Sequence, residues 1–248
     1  MKKNMASKPH TDEVHRKQRI VKNPIKFKIT LNEEQKEAKA KILQNTIAML
    51  AGKAGSGKTL LAVQVALDGL LRRHYDKIII TRPTVSKEEI GFLPGDLREK
   101  MDPWIQPIYQ NMYSLYDKVN VEKLIEDGKI EIVPLAFMRG RTFLDSCIIV
   151  DEAQNVTHEQ MEMISTRIGL RSKMIVCGDD HQVDLKSRAD SGFRFLYAAS
   201  RKVKKMSGVT LMQNHRDPIV DDLIEIYEEA EERGILSTSG SSGKSRKK

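Results

Sequence analysis

Cysteine is nearly missing from this 248-residue chain: Cys147 and Cys177 are its only two. Neither has a second Cys or a His at metal-ligand spacing, so a zinc cluster or a disulfide framework is excluded, and both fall in apolar runs that suit buried, reduced thiols. Long apolar stretches are missing too. No run approaches the ~18 residues of a membrane span, and the polar, Lys-rich start has no signal-peptide core. Cytoplasmic residence with no membrane association is the expectation. No internal repeat is found. The length suits one α/β domain or two small ones and is enough to bury a full core.

What the body lacks is basic charge. The chain totals +8, yet residues 1–28 hold nine Lys or Arg against Asp12 and Glu13, and residues 235–248 hold four with no acid. Those ends carry +7 and +4, which leaves −3 for residues 29–234. The N-terminal end is free of apolar periodicity, and so is the Ser/Gly-rich C-terminal one, so both read as disordered arms flanking one domain at 29–234. Arms of this kind add salt-sensitive attraction to phosphate backbones, or serve only as solubilising tails.

Within the body, short β-rich runs alternate with longer helical ones. Strands are expected over 46–51, 77–82, 130–134, 146–151, 173–177 and 210–212. Helices are expected over 32–44, with Thr30 or Asn32 as cap, and over 58–73, part of 86–99, 103–118, 121–127, 157–168, 191–201 and 218–233. This alternation predicts an α/β fold with a mostly parallel sheet and helices on both faces. The Pro-rich stretch 91–107, which carries the single Trp104, interrupts it and reads as an ordered insert.

Between the first strand and the helix at 58–73 lies Gly52-Lys53-Ala54-Gly55-Ser56-Gly57-Lys58-Thr59. Strand, Gly-rich loop and helix is the context in which backbone N–H groups and a helix N-terminus cradle phosphates. Lys58 then reaches the β and γ phosphates and the Thr59 hydroxyl holds Mg²⁺. A second signal is the strand CIIV, which ends in Asp151 and Glu152 at the carboxyl edge of the sheet, where ligand sites of parallel sheets lie. Asp151 suits the Mg²⁺ shell and Glu152 suits a base for the attacking water. An acidic pair at a helix start would use the same residue types. The next strand ends in Asp179, His181 and Gln182: Gln182 could contact the γ phosphate or the lytic water, Asp179 could support it or the metal shell, and a lone His181 reads as a loop residue. Arg216 is a candidate arginine finger, although a strand-end Arg also suits a surface ion pair. Arg139 and Arg141, in the run RGRT, could grip phosphates of RNA or of a neighbour's nucleotide, or be solvated surface charges.

These motifs together, with TRPTV at 81–85, IGFLPGDLREKMDPWIQPIY from Ile90, PLAFMRGRTF from Pro134, IIVDEAQN, GDDHQVDL and NHRDPIVDDLIEIY, resemble the PhoH-like ATPases over residues 29 to 233. The resemblance implies a RecA-like P-loop NTPase fold, Mg²⁺-dependent hydrolysis of ATP and a link to RNA binding or unwinding. By the same resemblance Gln35 matches the glutamine that reads adenine, and Arg216 the arginine at the γ phosphate. The nuclease domain of some longer members is not seen, so no RNA cleavage is expected. A single RecA-like core supplies one side of the usual two-lobed cleft, so an arginine in trans points to a homo-oligomeric ring, with six subunits by resemblance. A nucleotide-gated protein-binding switch is the alternative. A small-molecule kinase is disfavoured, because paired carboxylates activate water more naturally than a substrate hydroxyl.

Overall fold

The computed structural model describes residues 30–83, 97–233 and 235. The N-terminal arm and, but for residue 235, the C-terminal one lie outside the described residues, as do residues 84–96. Six strands form one sheet: β1 (Ile47–Gly52), β2 (Lys77–Thr81), β3 (Ile130–Ile132), β4 (Ser146–Val150), β5 (Lys173–Gly178) and β6 (Met206–Leu211). All pairings are parallel, in the order β3-β2-β4-β5-β1-β6. Burial follows that order. β4 and β5 are buried at every residue and read as unbroken apolar runs, as strands covered on both faces must. The edge strands β3 and β6 are short or half-exposed instead.

Alternate residues of each inner strand feed two separate cores. One holds Leu50, Ile80, Ile149 and Ile175 beneath the helices α1 (Glu33–Gln44), α2 (Lys58–Leu71), α3 (Leu97–Leu115) and α4 (Lys118–Glu126). The other holds Met49, Ile79, Ile148 and Val176 against 3₁₀ turns at Leu135–Phe137 and Ala153–Asn155 and the helices α5 (His158–Ser165) and α6 (Gly192–Ala199). A third 3₁₀ turn, Arg188–Asp190, precedes α6, and α7 (Ile219–Glu232) follows the last strand.

Four expectations need correction. The end strand expected at 210–212 begins at Met206, because an edge strand with the polar pattern MSGVTL gives little apolar signal. The helix expected over part of 86–99 falls mostly outside the described residues, while the one expected over 103–118 runs, in the described residues, from Leu97 to Leu115 and passes through Pro103 and Pro107. Buried Ile105, Ile108 and Met112 hold it in register, and Pro107 faces solvent, where a missing hydrogen bond costs least. Lys118 therefore opens α4, three residues before the expected start, with Asp117 accepting from the Asn120 N–H. Helices ending at 73, 168, 201 and 233 by expectation, and the strand ending at 134, stop one to three residues sooner, within the usual fraying of ends.

α1 is closed at both ends by side chains. At its start Asn32 accepts from the Gln35 N–H at 2.8 Å while Gln35 Oε1 accepts from the Asn32 N–H at 3.2 Å, a capping box that selects Asn32 over Thr30. At its end the buried Lys173 ammonium donates to the carbonyls of Ile42, Leu43 and Asn45, tying the helix to β5. Both cysteines are buried and unbridged; burial pushes the Cys147 thiol up to about 12 and the Cys177 thiol well above its ordinary value.

Candidate nucleotide-hydrolysis site

Because the strands are parallel, the segments after β1, β4 and β5 all leave from one edge of the sheet, and β5 sits between the other two. That order brings the loop, the acidic pair and the 179–182 segment around one cleft of about 490 Å³. Its lining includes Gln35, Lys58, Thr59, Asp151, Glu152, Asp179, Gln182 and Arg216, with Ala54, Gly55 and Gly57 of the loop.

The loop is packed as tightly as its glycines allow. Gly57 caps α2 at φ 83°, and a Cβ there would stand 2.8 Å from the Gln35 amide nitrogen. Gly55, at φ 88°, would meet the Asn214 side-chain oxygen at 2.4 Å. A larger residue at either point would be strained in backbone and side chain alike. The Lys58 ammonium is curled onto its own loop, donating to the carbonyls of Gly52 at 2.6 Å and Lys53 at 2.9 Å. A triphosphate bound in the cleft offers that ammonium stronger, charged acceptors in place of the two carbonyls.

Thr59 Oγ1 donates to Asp151 Oδ1 at 2.8 Å. Asp151 is almost wholly buried; burial, then the neighbouring Glu152 charge, raises its pKa above its ordinary value against the Thr59 hydrogen bond and the Arg82 charge. An unneutralised carboxylate at such a depth is a poised cation ligand. The hydroxyl and carboxylate fit Mg²⁺, which takes one or two protein oxygens and completes its shell with phosphate oxygens and water.

Glu152 is held on both oxygens. Arg82 donates to Oε1 at 3.0 Å and the Gln154 amide to Oε2 at 2.7 Å. Its backbone is left-handed, φ 51°, a conformation that costs a non-glycine residue free energy. Gln154 also accepts from the Asp179 N–H at 2.9 Å, so one amide links Glu152 to the end of β5. Arg82 and Gln154 were not among the residues singled out in the sequence. Arg82 stands in TRPTV and Gln154 in DEAQ, but neither has a spacing rule that assigns it a partner.

Gln35 meets the cleft through its amide nitrogen, 3.0 Å from His215 Nε2 and 3.5 Å from the Ser56 carbonyl. Asn32 Nδ2 approaches the same ring nitrogen at 3.3 Å, so His215 accepts at Nε2. Asn32 also donates to Gln213 at 2.7 Å, and Glu34 accepts from the N–H groups of Met212 and Gln213 at 3.0 and 3.2 Å. Thus the start of α1 and the segment after β6 are laced together over the phosphate loop. Arg216 lines the cleft of its own chain, with its aliphatic carbons against Gly55. Gly52, Lys53 and Ser56 belong to the loop but do not line the cleft; Lys53 lines a neighbouring groove with His181. Arg139 and Arg141 lie elsewhere, beyond edge strand β3: Arg139 pairs with Glu159 at 3.3 Å, and Arg141 with Glu131 at 3.0 Å while lying over the Phe143 ring at 4.8 Å.

Comparison with known proteins gives three findings. A family model described as PhoH-like protein matches residues 28–228. A PhoH-like protein of Bacillus subtilis (strain 168) is 44% identical over 200 residues, covering 78% of this chain and 62% of that protein; one from Synechocystis sp. is 42% identical over 193 residues, covering 77% and 59%. The chain thus spans about 60% of the length of these relatives. Among solved structures, the Pif1 helicase of Candida albicans aligns with 81% of the chain and 44% of its own at 15% identity and a TM-score of 0.43.

Proposed function

Because the chain belongs to the PhoH-like protein family and carries its P-loop in a RecA-like parallel fold, we propose that it is a Mg²⁺-dependent ATPase that acts on RNA as a ring. The observation that carries the reading is the convergence of Lys58, Thr59, Asp151, Glu152 and Gln182 on one cleft. Phosphate-binding and water-activating groups from three different strand ends serve no shared structural purpose there.

In this reading Lys58 leaves the carbonyls of Gly52 and Lys53 for the β and γ phosphates. Thr59 and Asp151 would hold Mg²⁺, which when bound offsets the negative charge of the phosphate oxygens. Arg82 and Gln154 fix the Glu152 carboxylate, which accepts a proton from water as its oxygen attacks the γ phosphorus. The bond from that phosphorus to the β-phosphate bridging oxygen breaks, leaving ADP and phosphate. Gln182 orients the water or the γ phosphate, and Arg216 stabilises charge on the transferring group from within the same subunit. Gln35, with its oxygen committed to the α1 cap, would turn its amide N–H groups from His215 and the Ser56 carbonyl to the base.

The cis position of Arg216 narrows the ground for a ring: the arginine no longer has to come from a neighbour. Assembly, with six subunits, then rests on the family resemblance and on an exposed Arg216 at the mouth that a neighbour would cover. RNA as the stimulating partner has the same standing. An ATPase assay with and without single-stranded RNA at two salt concentrations tests the whole reading. Salt-sensitive stimulation is expected; turnover indifferent to every nucleic acid would favour the nucleotide-gated switch.

A further inference from the structure

We infer that single-stranded polynucleotide lies along a strip running from the turn at Phe137 across α5 and α6 to Arg188, with bases stacked on Phe137 and Phe195; this rests on the RNA reading above. Phe137 is 58% exposed although its neighbours in the 3₁₀ turn, Leu135 and Met138, are buried. The turn is thus anchored from below and holds an aromatic ring out in water. Phe195 repeats the arrangement on α6: Phe193, two residues before it, is fully buried, while Phe195 is 66% exposed. The two rings belong to one continuous surface. Arg139, two residues past Phe137, reaches Glu159 on α5; His158, beside Glu159, meets the Phe195 ring edge-on at 5.6 Å and bonds the Ala189 carbonyl at 2.9 Å.

Arginine adds to the stacking surface. Along the strip Arg139, Arg141, Arg188 and Arg194 are exposed, interspersed with the exposed acids Glu159, Glu162 and Asp190. Glu159 and Glu131 now pair the first two, but exposed pairs are worth little and yield readily to phosphates, which arginine holds in a bidentate grip. Exposed aromatic rings interleaved with arginines are the pattern of a single-strand platform, since every unpaired base has a face to stack and every nucleotide a charge to neutralise. Duplex does not fit, because its bases are already stacked on each other.

The strip also ends beside the hydrolytic site. Arg188 lines a groove of about 660 Å³ with Lys53, Asp179, His181 and Gln182. The 179–188 segment therefore faces the nucleotide at one end and the strip at the other. The strip is a place where occupancy by a strand and the state of the γ phosphate act on the same backbone.

The test uses the full chain and fluorescein-labelled oligo(U), oligo(dT) and an abasic strand of about 15 nucleotides each, near the upper site size of a single-strand platform. Phe137→Ala and Phe195→Ala should each weaken oligo(U) binding about tenfold by anisotropy, Phe137→Tyr should restore most of it, and abasic binding should not change. Tighter binding of oligo(U) than of oligo(dT) assigns the strip to RNA and the reverse to DNA, provided the aromatic losses are seen. If the double alanine variant binds oligo(U) as wild type does, or loses abasic binding equally, the strip is wrong, and RNA-stimulated hydrolysis that persists in that variant leaves the proposed function standing. If wild type binds no single strand and no RNA stimulates hydrolysis, both fall.

Discussion

Glu152 and Asp151 stand next to each other and are asked for opposite things. Glu152, half-exposed and gripped by Arg82 and Gln154, would in the proposed hydrolysis keep its place while it accepts a proton. Glu152→Gln should therefore bind a fluorescent ATP analogue as wild type does and lose turnover by at least ~100-fold, the usual worth of a positioned base. Lys58→Ala should abolish binding itself. Asp151 is buried, and its raised pKa means that folding disfavours its ionised form. Its contribution to stability is thus full below the ordinary carboxylate pKa and is lost as pH rises through the raised value. Asp151→Asn keeps the acceptor for Thr59 and removes that charge. The variant should be inactive yet melt higher at neutral pH, by roughly 2–4 °C per kcal/mol, with the gap closing as pH falls into the acid range. A variant that melts lower at neutral pH would show that the buried charge does not destabilise the fold. These carboxylates, Lys58 and Thr59 were legible in the sequence because each sits at a fixed offset in a motif. Arg82 and Gln154 were not, since their partners are set by how strands β2, β4 and β5 lie side by side.

At the scale of elements, legibility followed burial. Strands β1, β2, β4 and β5 were found within a residue of their true ends because strands covered on both faces leave unbroken apolar runs. Edge strand β6 and the proline-bearing α3 were misjudged, since exposure blurs the first and local proline rules mislead on the second. The α1 cap was half legible: Asn32 was a candidate, but the partnership with Gln35 depends on a geometry that no periodicity reveals. That partnership makes a prediction. Asn32→Ala should cost about 1 kcal/mol in stability, as a lost cap does, and should also weaken nucleotide binding, because it frees the Gln35 side chain at the cleft wall. A loss of stability without any change in nucleotide affinity would separate the cap from the site.

For the whole molecule, the expected test is mass in solution. Light scattering with a non-hydrolysable ATP analogue and Mg²⁺ should report a closed oligomer near six subunits, and a monomer under those conditions would remove the ring from the proposal. Salt belongs at this scale as well: the body is slightly acidic, so steep salt dependence of RNA binding would locate the attraction in the strip and the arms. One further property follows from the lacing of Asn32 to Gln213, residues 181 positions apart, above the phosphate loop. The first helix and the strand exit that ends the sheet meet there and are held by a few polar contacts. Gln35 and Arg216 both line the cleft, so a nucleotide bound there as proposed would act as a clasp on that seam. Stretched between its ends, the molecule should part first at the seam, and bound ATP should raise the force needed to open it.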